Sequence, residues 1–186
     1  LHPAPKKVER APDRRRVTCF DCGTELEVAA SAESTMCKRC SSYLDLKNYQ
    51  IANAVSKNFK TKGSFVVEPK GYVFNTEAIV GDAVIKGRFL GKLNAEHSLT
   101  IYSTAEIKGS FKTGCLIIPP ENHFRWKETI KVNSAEIAGE LANDLQADGT
   151  VTLKSTARMF GDIQARNLVV EPGAVVVGQL RIGSAT

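Results

Sequence analysis

Four of the five cysteines in this chain form two closely spaced pairs. They are Cys19, Cys22, Cys37 and Cys40, in the pattern Cys-x2-Cys-x14-Cys-x2-Cys. Two such pairs are typical of a zinc ribbon, because four thiolates satisfy the tetrahedral preference of Zn2+. Four protein ligands leave no open coordination position, so the predicted ion is structural rather than catalytic. Two disulfides or an iron–sulfur centre are the alternatives that the spacing leaves open.

The cysteine-rich segment is too short to fold on a hydrophobic core alone. It covers residues 17–42, and metal binding would supply the missing folding energy. Gly23, directly after the first pair, suits the turn that closes a metal-binding knuckle. Cys115 has no neighbouring cysteine and is expected to be a buried core thiol.

No other group of residues has the spacing of a catalytic site. The histidines, at positions 2, 97 and 123, are scattered, and no phosphate-binding loop, nucleophile elbow or carboxylate pair is present. The sequence therefore predicts a protein that is not an enzyme and takes no small-molecule substrate.

Charge and composition divide the chain into four zones. Residues 1–16 contain six basic and two acidic side chains, which gives +4 of the total net charge of +5. This zone is predicted to be a flexible basic tail, followed by the ribbon at 17–42, a connector at 43–62 and a β domain at 63–186. No apolar run reaches the ~18–20 residues that a membrane-spanning helix needs.

Nucleic-acid binding by the tail and ribbon is one alternative function. Its candidate contacts are Arg14, Arg15, Arg16, Lys38 and Arg39 for phosphates, with Phe20 for base stacking. Acidic residues interleave with these side chains, and residues 63–186 are electrically neutral, so nucleic acid is not the favoured partner.

A seven-residue pattern recurs five times in the β domain. The pattern is Ala-x-φ-x-Gly-x-φ, where φ is apolar, and its copies begin at Ala83, Ala105, Ala135, Ala157 and Ala174. One copy cannot bury its apolar side chains alone, whereas stacked copies form a continuous core. The repeat therefore predicts an all-β solenoid.

The glycine spacing within the repeat is uneven. The steps from Gly91 to Gly109, Gly139, Gly161 and Gly178 suggest coils of about 17–18 residues. The two longer steps are expected to contain inserted loops at 119–128 and 143–149. Phe124, Arg125 and Trp126 in the first loop either pack on the solenoid or form a partner contact.

The repeats AEIKGSF, AEIAGEL and AVVVGQL, with the phrase LVVEPGAVVVGQL, resemble the bactofilin family of polymer-forming bacterial cytoskeletal proteins. The resemblance covers residues 60–186, and a zinc ribbon ahead of that domain is similar to one group of the family. It implies a right-handed parallel β-helix, filaments formed by end-to-end stacking, and cytoplasmic scaffolding, often peripheral at the inner face of the membrane. The partners it implies are further copies of the chain and another scaffold or membrane-associated protein.

A solenoid whose end coils are uncapped is expected to stack on another copy. The inward-facing residues of the last repeat are predicted to be Val170, Val176, Leu180 and Ile182, which would form the polymer interface. A hexapeptide-repeat acyltransferase is a further alternative, but Gly91 breaks the six-residue rhythm of Gly81 and Gly87.

Overall fold

The computed structural model describes residues 13–183, and in this part of the chain all regular secondary structure is β. The chain divides into two units between Lys47 and Asn48. No helix capable of crossing a membrane occurs among the described residues.

The first unit contains two antiparallel hairpins, β1–β2 and β3–β4. Its strands are β1 (Arg14–Thr18), β2 (Glu25–Ala29), β3 (Ser34–Met36) and β4 (Tyr43–Asp45). Val17, Leu26 and Leu44 pack with two of the cysteines in a small core of its own.

The second unit is a parallel β-solenoid. Its first strands are β5 (Tyr49–Ile51), β6 (Ala54–Val55), β7 (Phe59–Lys60), β8 (Ser64–Val67), β9 (Tyr72–Ile85), β10 (Arg88–Ile101), β11 (Glu106–Ile118) and β12 (His123–Phe124). The remaining strands are β13 (Ile130–Val132), β14 (Ser134–Ile137), β15 (Glu140–Ala142), β16 (Leu145–Leu153), β17 (Arg158–Phe160), β18 (Ile163–Val170), β19 (Val175–Val177) and β20 (Leu180–Ile182). All strand pairs in this unit are parallel.

One register column runs through about eight coils. Its paired residues are Tyr49, Phe65, Ala83, Leu99, Leu116, Ala135, Val151 and Leu168. Successive members lie 16 to 19 residues apart along the chain, so each coil has nearly the same length. The six members from Phe65 to Val151 are fully or almost fully buried, and they form a continuous core.

The prediction of inserted loops at 119–128 and 143–149 is wrong. The first segment contains β12, which pairs with β15, and β16 begins at Leu145 within the second. Both segments are therefore ordinary parts of a coil.

The error arose because the glycines of the repeat occupy different corners. Gly161 stacks on Asn143, whereas Gly139 lies beside Pro119 and Asn122 at another corner. The 30-residue step from Gly109 to Gly139 therefore joins two different corners and does not measure a coil length. Gly109 and Asn143 are 34 residues apart, which equals two coils of 17.

The unit boundaries also differ from the expected ones. Residues 14–16 of the expected tail lie in β1, and residues 1–12 of it lie outside the described residues. The expected connector at 43–62 is divided, because β4 completes a ribbon hairpin while β5, β6 and β7 belong to the solenoid. The first coil lacks the repeat pattern, which is why the sequence placed it in a connector.

Candidate metal centre and solenoid end

Two turns of the first unit share one backbone geometry. In the first, the Cys19 amide donates to the Thr24 carbonyl (2.9 Å) and the Gly23 amide donates to the Cys19 carbonyl (3.1 Å). In the second, the Cys37 amide donates to the Ser42 carbonyl and the Ser41 amide to the Cys37 carbonyl, each at 2.8 Å.

Each turn closes on a residue in the left-handed region. Gly23 has φ 69° and Ser41 has φ 60°. Glycine adopts this conformation without a steric penalty, so Gly23 could be read from the sequence. A serine does not indicate such a conformation in a sequence. That Ser41 occupies the same place in its turn as Gly23 is therefore seen only in the structure.

The two turns bring four sulfur atoms together. The Sγ atoms of Cys19, Cys22, Cys37 and Cys40 all lie within 4.8 Å of one another. The Cys19–Cys40 and Cys22–Cys37 separations are 3.6 Å and 3.5 Å. Four thiolates at the usual Zn–S distance would be about 3.8 Å apart. The cluster therefore fits one tetrahedral ion, and its separations are far longer than a disulfide bond of about 2.05 Å.

A hydroxyl group follows the second cysteine of each turn. The Cys22 sulfur lies 3.2 Å from the Thr24 Oγ1 atom, and the Cys40 sulfur lies 3.2 Å from the Ser42 Oγ atom. Hydrogen bonds from the Thr24 hydroxyl and amide lower the pKa of the Cys22 thiol to about 6. The Ser42 hydroxyl and amide lower the pKa of the Cys40 thiol in the same way. Both contacts favour the thiolate, which is the form that binds a metal.

Arg15 holds the metal-binding unit together, although the sequence placed it in the tail. One terminal nitrogen of its guanidinium donates to the Ala32 carbonyl (3.2 Å) and the Leu46 carbonyl (3.1 Å). The signal in the sequence was its position two residues before Val17, because alternate residues of a strand lie on one face.

The arginines on either side of Arg15 form ion pairs with glutamates of β2. Arg14 lies 3.8 Å from Glu27, and Arg16 lies 3.2 Å from Glu25. Three of the five cations named for the nucleic-acid alternative thus have partners within the ribbon, whereas Lys38 and Arg39 are exposed. Its stacking candidate, Phe20, is half-buried against the small core.

The last coil of the solenoid exposes apolar side chains. Among the four predicted interface residues, Val170, Leu180 and Ile182 are 48 %, 47 % and 46 % exposed, and Val176 is half-buried. Each is paired in register with a buried residue of the preceding coil: Leu153, Ile163, Ala165 and Met159. The four side chains thus continue the core columns into a coil that no described strand covers.

The first coil is different. Ile51 is 7 % exposed and Phe59 is 4 % exposed. The Nζ atom of Lys57 lies 5.0 Å from the Phe59 ring centroid and 5.8 Å from the Tyr49 ring centroid. A cation over these rings makes this end less apolar than the last coil.

The predicted partner loop is packed on the solenoid. Phe124 is 9 % exposed, and Trp126 stacks with it and lies 4.9 Å from the Phe111 ring. The Trp126 amide donates to the Asn143 side chain. Only Arg125 of the three candidates is exposed. Cys115 is half-buried rather than buried, because its position in β11 faces outward.

Comparison with known proteins gives consistent matches. A family model described as "Bactofilin: Polymer-forming cytoskeletal" matches residues 43–127 and 121–181. Bactofilin BacO of Myxococcus xanthus is 26 % identical over 102 residues, which cover 55 % of this chain and 76 % of that protein. No solved structure matches the chain. The family match covers the solenoid and begins at Tyr43 in the first unit.

Proposed function

This chain belongs to the bactofilin family, and from that premise we propose that it is a structural scaffold that polymerises through the ends of its solenoid. The observation that carries the proposal is the exposed slice of core in the last coil. Leu180 and Ile182 there are about half-exposed although their register partners are buried. A second copy stacked on this end would bury them and extend the parallel or antiparallel backbone ladders.

The energy available at this end is moderate. Burying a half-exposed aliphatic side chain contributes about 1 kcal/mol, and two copies would bury four each, or roughly 8 kcal/mol. Association costs about 4–15 kcal/mol in lost translational and rotational freedom. Because the two quantities are similar, we expect assembly to depend on protein concentration.

The contrast between the two ends bears on how the copies would pair. Ile51 and Phe59 of the first coil are buried, and Lys57 lies over the Phe59 ring. The apolar side chains of the last described coil are instead exposed. This contrast favours contact between two C-terminal ends, and hence closed oligomers or filaments whose second contact is weaker.

The cysteine cluster is assigned a structural Zn2+ in this proposal. Cys19, Cys22, Cys37 and Cys40 would hold the ion, and the ribbon would serve partner contact or capping. Four thiolates within 4.8 Å support the assignment. The scaffold would act in the cytoplasm or peripherally at the inner face of the membrane, where the +4 charge of residues 1–16 could add weak electrostatic attraction.

Electron microscopy and sedimentation of the purified chain over a range of concentrations test the assembly proposal. Assemblies that grow with concentration, and whose repeat matches stacked solenoids, are expected. A chain that stays monomeric at high concentration would contradict it. The same experiment in the presence and absence of the ribbon shows whether the ribbon limits growth.

A further inference from the structure

Two large apolar side chains are exposed next to each other on the ribbon. Met36 is 60 % exposed and Tyr43 is 64 % exposed. They are directly paired across β3 and β4, whereas Leu44, on the other face of the same hairpin, is 1 % exposed. The apolar side chains of the ribbon core point inward. Met36 and Tyr43 point outward and add nothing to that core, so its packing does not account for their apolar character.

Two cations adjoin this pair. Lys38 and Arg39 lie in the second metal-binding turn, directly after β3, and both are exposed. Within residues 13–183 neither forms an ion pair, whereas Arg14 and Arg16 of β1 each pair with a glutamate. We refer to Met36, Lys38, Arg39 and Tyr43 as the ribbon patch.

The hairpin also has an open edge at the patch. Cys37 donates to Ser42 and Leu46 donates to Glu33, so the Met36–Tyr43 pair between them is a non-hydrogen-bonded pair. The amide and carbonyl of Met36 therefore point away from β4. β3 has no other partner strand in the described part of the chain, so these groups lie on a free edge.

Arg15 lies at the other end of this hairpin, where it donates to the carbonyls of both Ala32, before β3, and Leu46, after β4. Neither contact involves the backbone of Met36. β4 has no further partner strand in the described residues either. The β3 edge is chosen because Lys38 and Arg39 lie directly beyond the end of that strand.

We propose that the ribbon patch binds an extended, acidic and partly apolar segment of a partner protein, which pairs with the free edge of β3. Backbone bonds to Met36 would provide register, while Met36 and Tyr43 take the apolar side chains of the segment. Carboxylates of the segment would reach Lys38 and Arg39. The inference rests on the proposed role of the ribbon in partner contact and is independent of polymerisation.

A polypeptide fits these features better than a nucleic acid does. Two exposed cations would neutralise few phosphates, and Arg14 and Arg16 of β1 each lie beside a glutamate whose charge opposes a phosphate. A free strand edge with an adjacent methionine and tyrosine instead matches the way extended peptides are recognised.

Selection from a phage library of random dodecapeptides on the immobilised full chain, purified with zinc, tests the inference. We expect enrichment of peptides that alternate apolar residues with Asp or Glu. A selected peptide, synthesised with a fluorophore, should bind saturably in anisotropy measurements, and binding should weaken as salt is raised. On binding, the Met36 amide should become protected from hydrogen exchange.

Substitutions in the patch should weaken this binding by at least about tenfold. The variants are Met36→Ser with Tyr43→Ser, and Lys38→Glu with Arg39→Glu. Matched controls on the solenoid, Val175→Ser with Val177→Ser and Lys112→Glu with Lys131→Glu, alter equally exposed side chains and should leave binding unchanged. Metal content, measured for each variant, shows whether the ribbon remains intact.

Three results would overturn the inference: no acidic excess among the selected peptides, equal binding to patch and control variants, or an unchanged Met36 amide in the complex. Preferential binding of a ten-nucleotide oligothymidine or of phosphatidylglycerol vesicles to the patch would overturn it as well. Sedimentation of the same variants separates the outcomes, because loss of peptide binding with normal assembly leaves the polymer proposal standing.

Discussion

Leu180 lies in register with Ile163, yet Leu180 is 47 % exposed whereas Ile163 is 1 % exposed. The two side chains belong to the same core column, one coil apart. Among the described residues a following coil covers Ile163 and none covers Leu180, which accounts for the difference. Stacking on a second copy would give Leu180 the environment that Ile163 already has.

Replacing Leu180 with lysine should abolish this stacking. Burial of an ammonium group against a second apolar end has no compensating partner and is costly. We expect Leu180→Lys to sediment as a folded monomer with its metal retained. Val177→Lys is the matched control, because Val177 is on the same coil but faces outward and is 57 % exposed. Unchanged assembly of Leu180→Lys would rule out this end as the interface.

Removal of one thiolate should release the metal. Elemental analysis of the wild type is expected to give about one zinc per chain, and Cys37→Ser should lose it, because three ligands no longer satisfy the ion. The ribbon should unfold with it while the solenoid keeps its β circular dichroism. Cys115→Ser should retain the metal, since Cys115 lies in β11 of the solenoid. Iron in place of zinc would contradict the assignment.

Loss of the Arg15 guanidinium should destabilise the ribbon. Arg15→Ala removes two charge-assisted hydrogen bonds to the Ala32 and Leu46 carbonyls. We expect a cost of about 1.5–3 kcal/mol in the free energy of unfolding of this unit, seen as faster metal release to a chelator. Arg14→Ala should change release little, because its ion pair with Glu27 is exposed and 3.8 Å long. Equal release rates for the two variants would show that Arg15 does not have this role.

A side chain at the corner glycine of the solenoid should not be tolerated. A Cβ atom added to Gly161 would lie 2.2 Å from the Asn143 carbonyl oxygen, and the φ of Gly161 is 144°. Gly161→Ala should therefore cost more than about 1 kcal/mol of unfolding free energy, measured by urea denaturation. Gln164→Ala, at an exposed position of the same coil, is the control. A midpoint equal to that of the control would mean that the corner can relax.

The sequence predicted the features that depend on residue identity. Cysteine spacing identified the four clustered thiols, and the alanine–glycine pattern predicted a solenoid with the correct coil length. It could not place the corner at Asn143, because this coil turns there without the glycine that Gly109, Gly161 and Gly178 provide in other coils. It also missed Arg15, whose role depends on two carbonyls that are 17 and 31 residues away. The first coil was missed for a related reason, since Tyr49 and Phe59 fill it without the repeat.

The near-constant coil length has a consequence for the dimensions of this unit. Eight stacked coils separated by about 4.8 Å span about 34 Å from the first to the last. Each coil contacts only the coils next to it, so a whole coil could be duplicated or deleted while the strand pairing of all the others is preserved. The solenoid can thus serve as a molecular ruler, whose length changes in increments of one strand spacing for every 16 to 19 residues gained or lost.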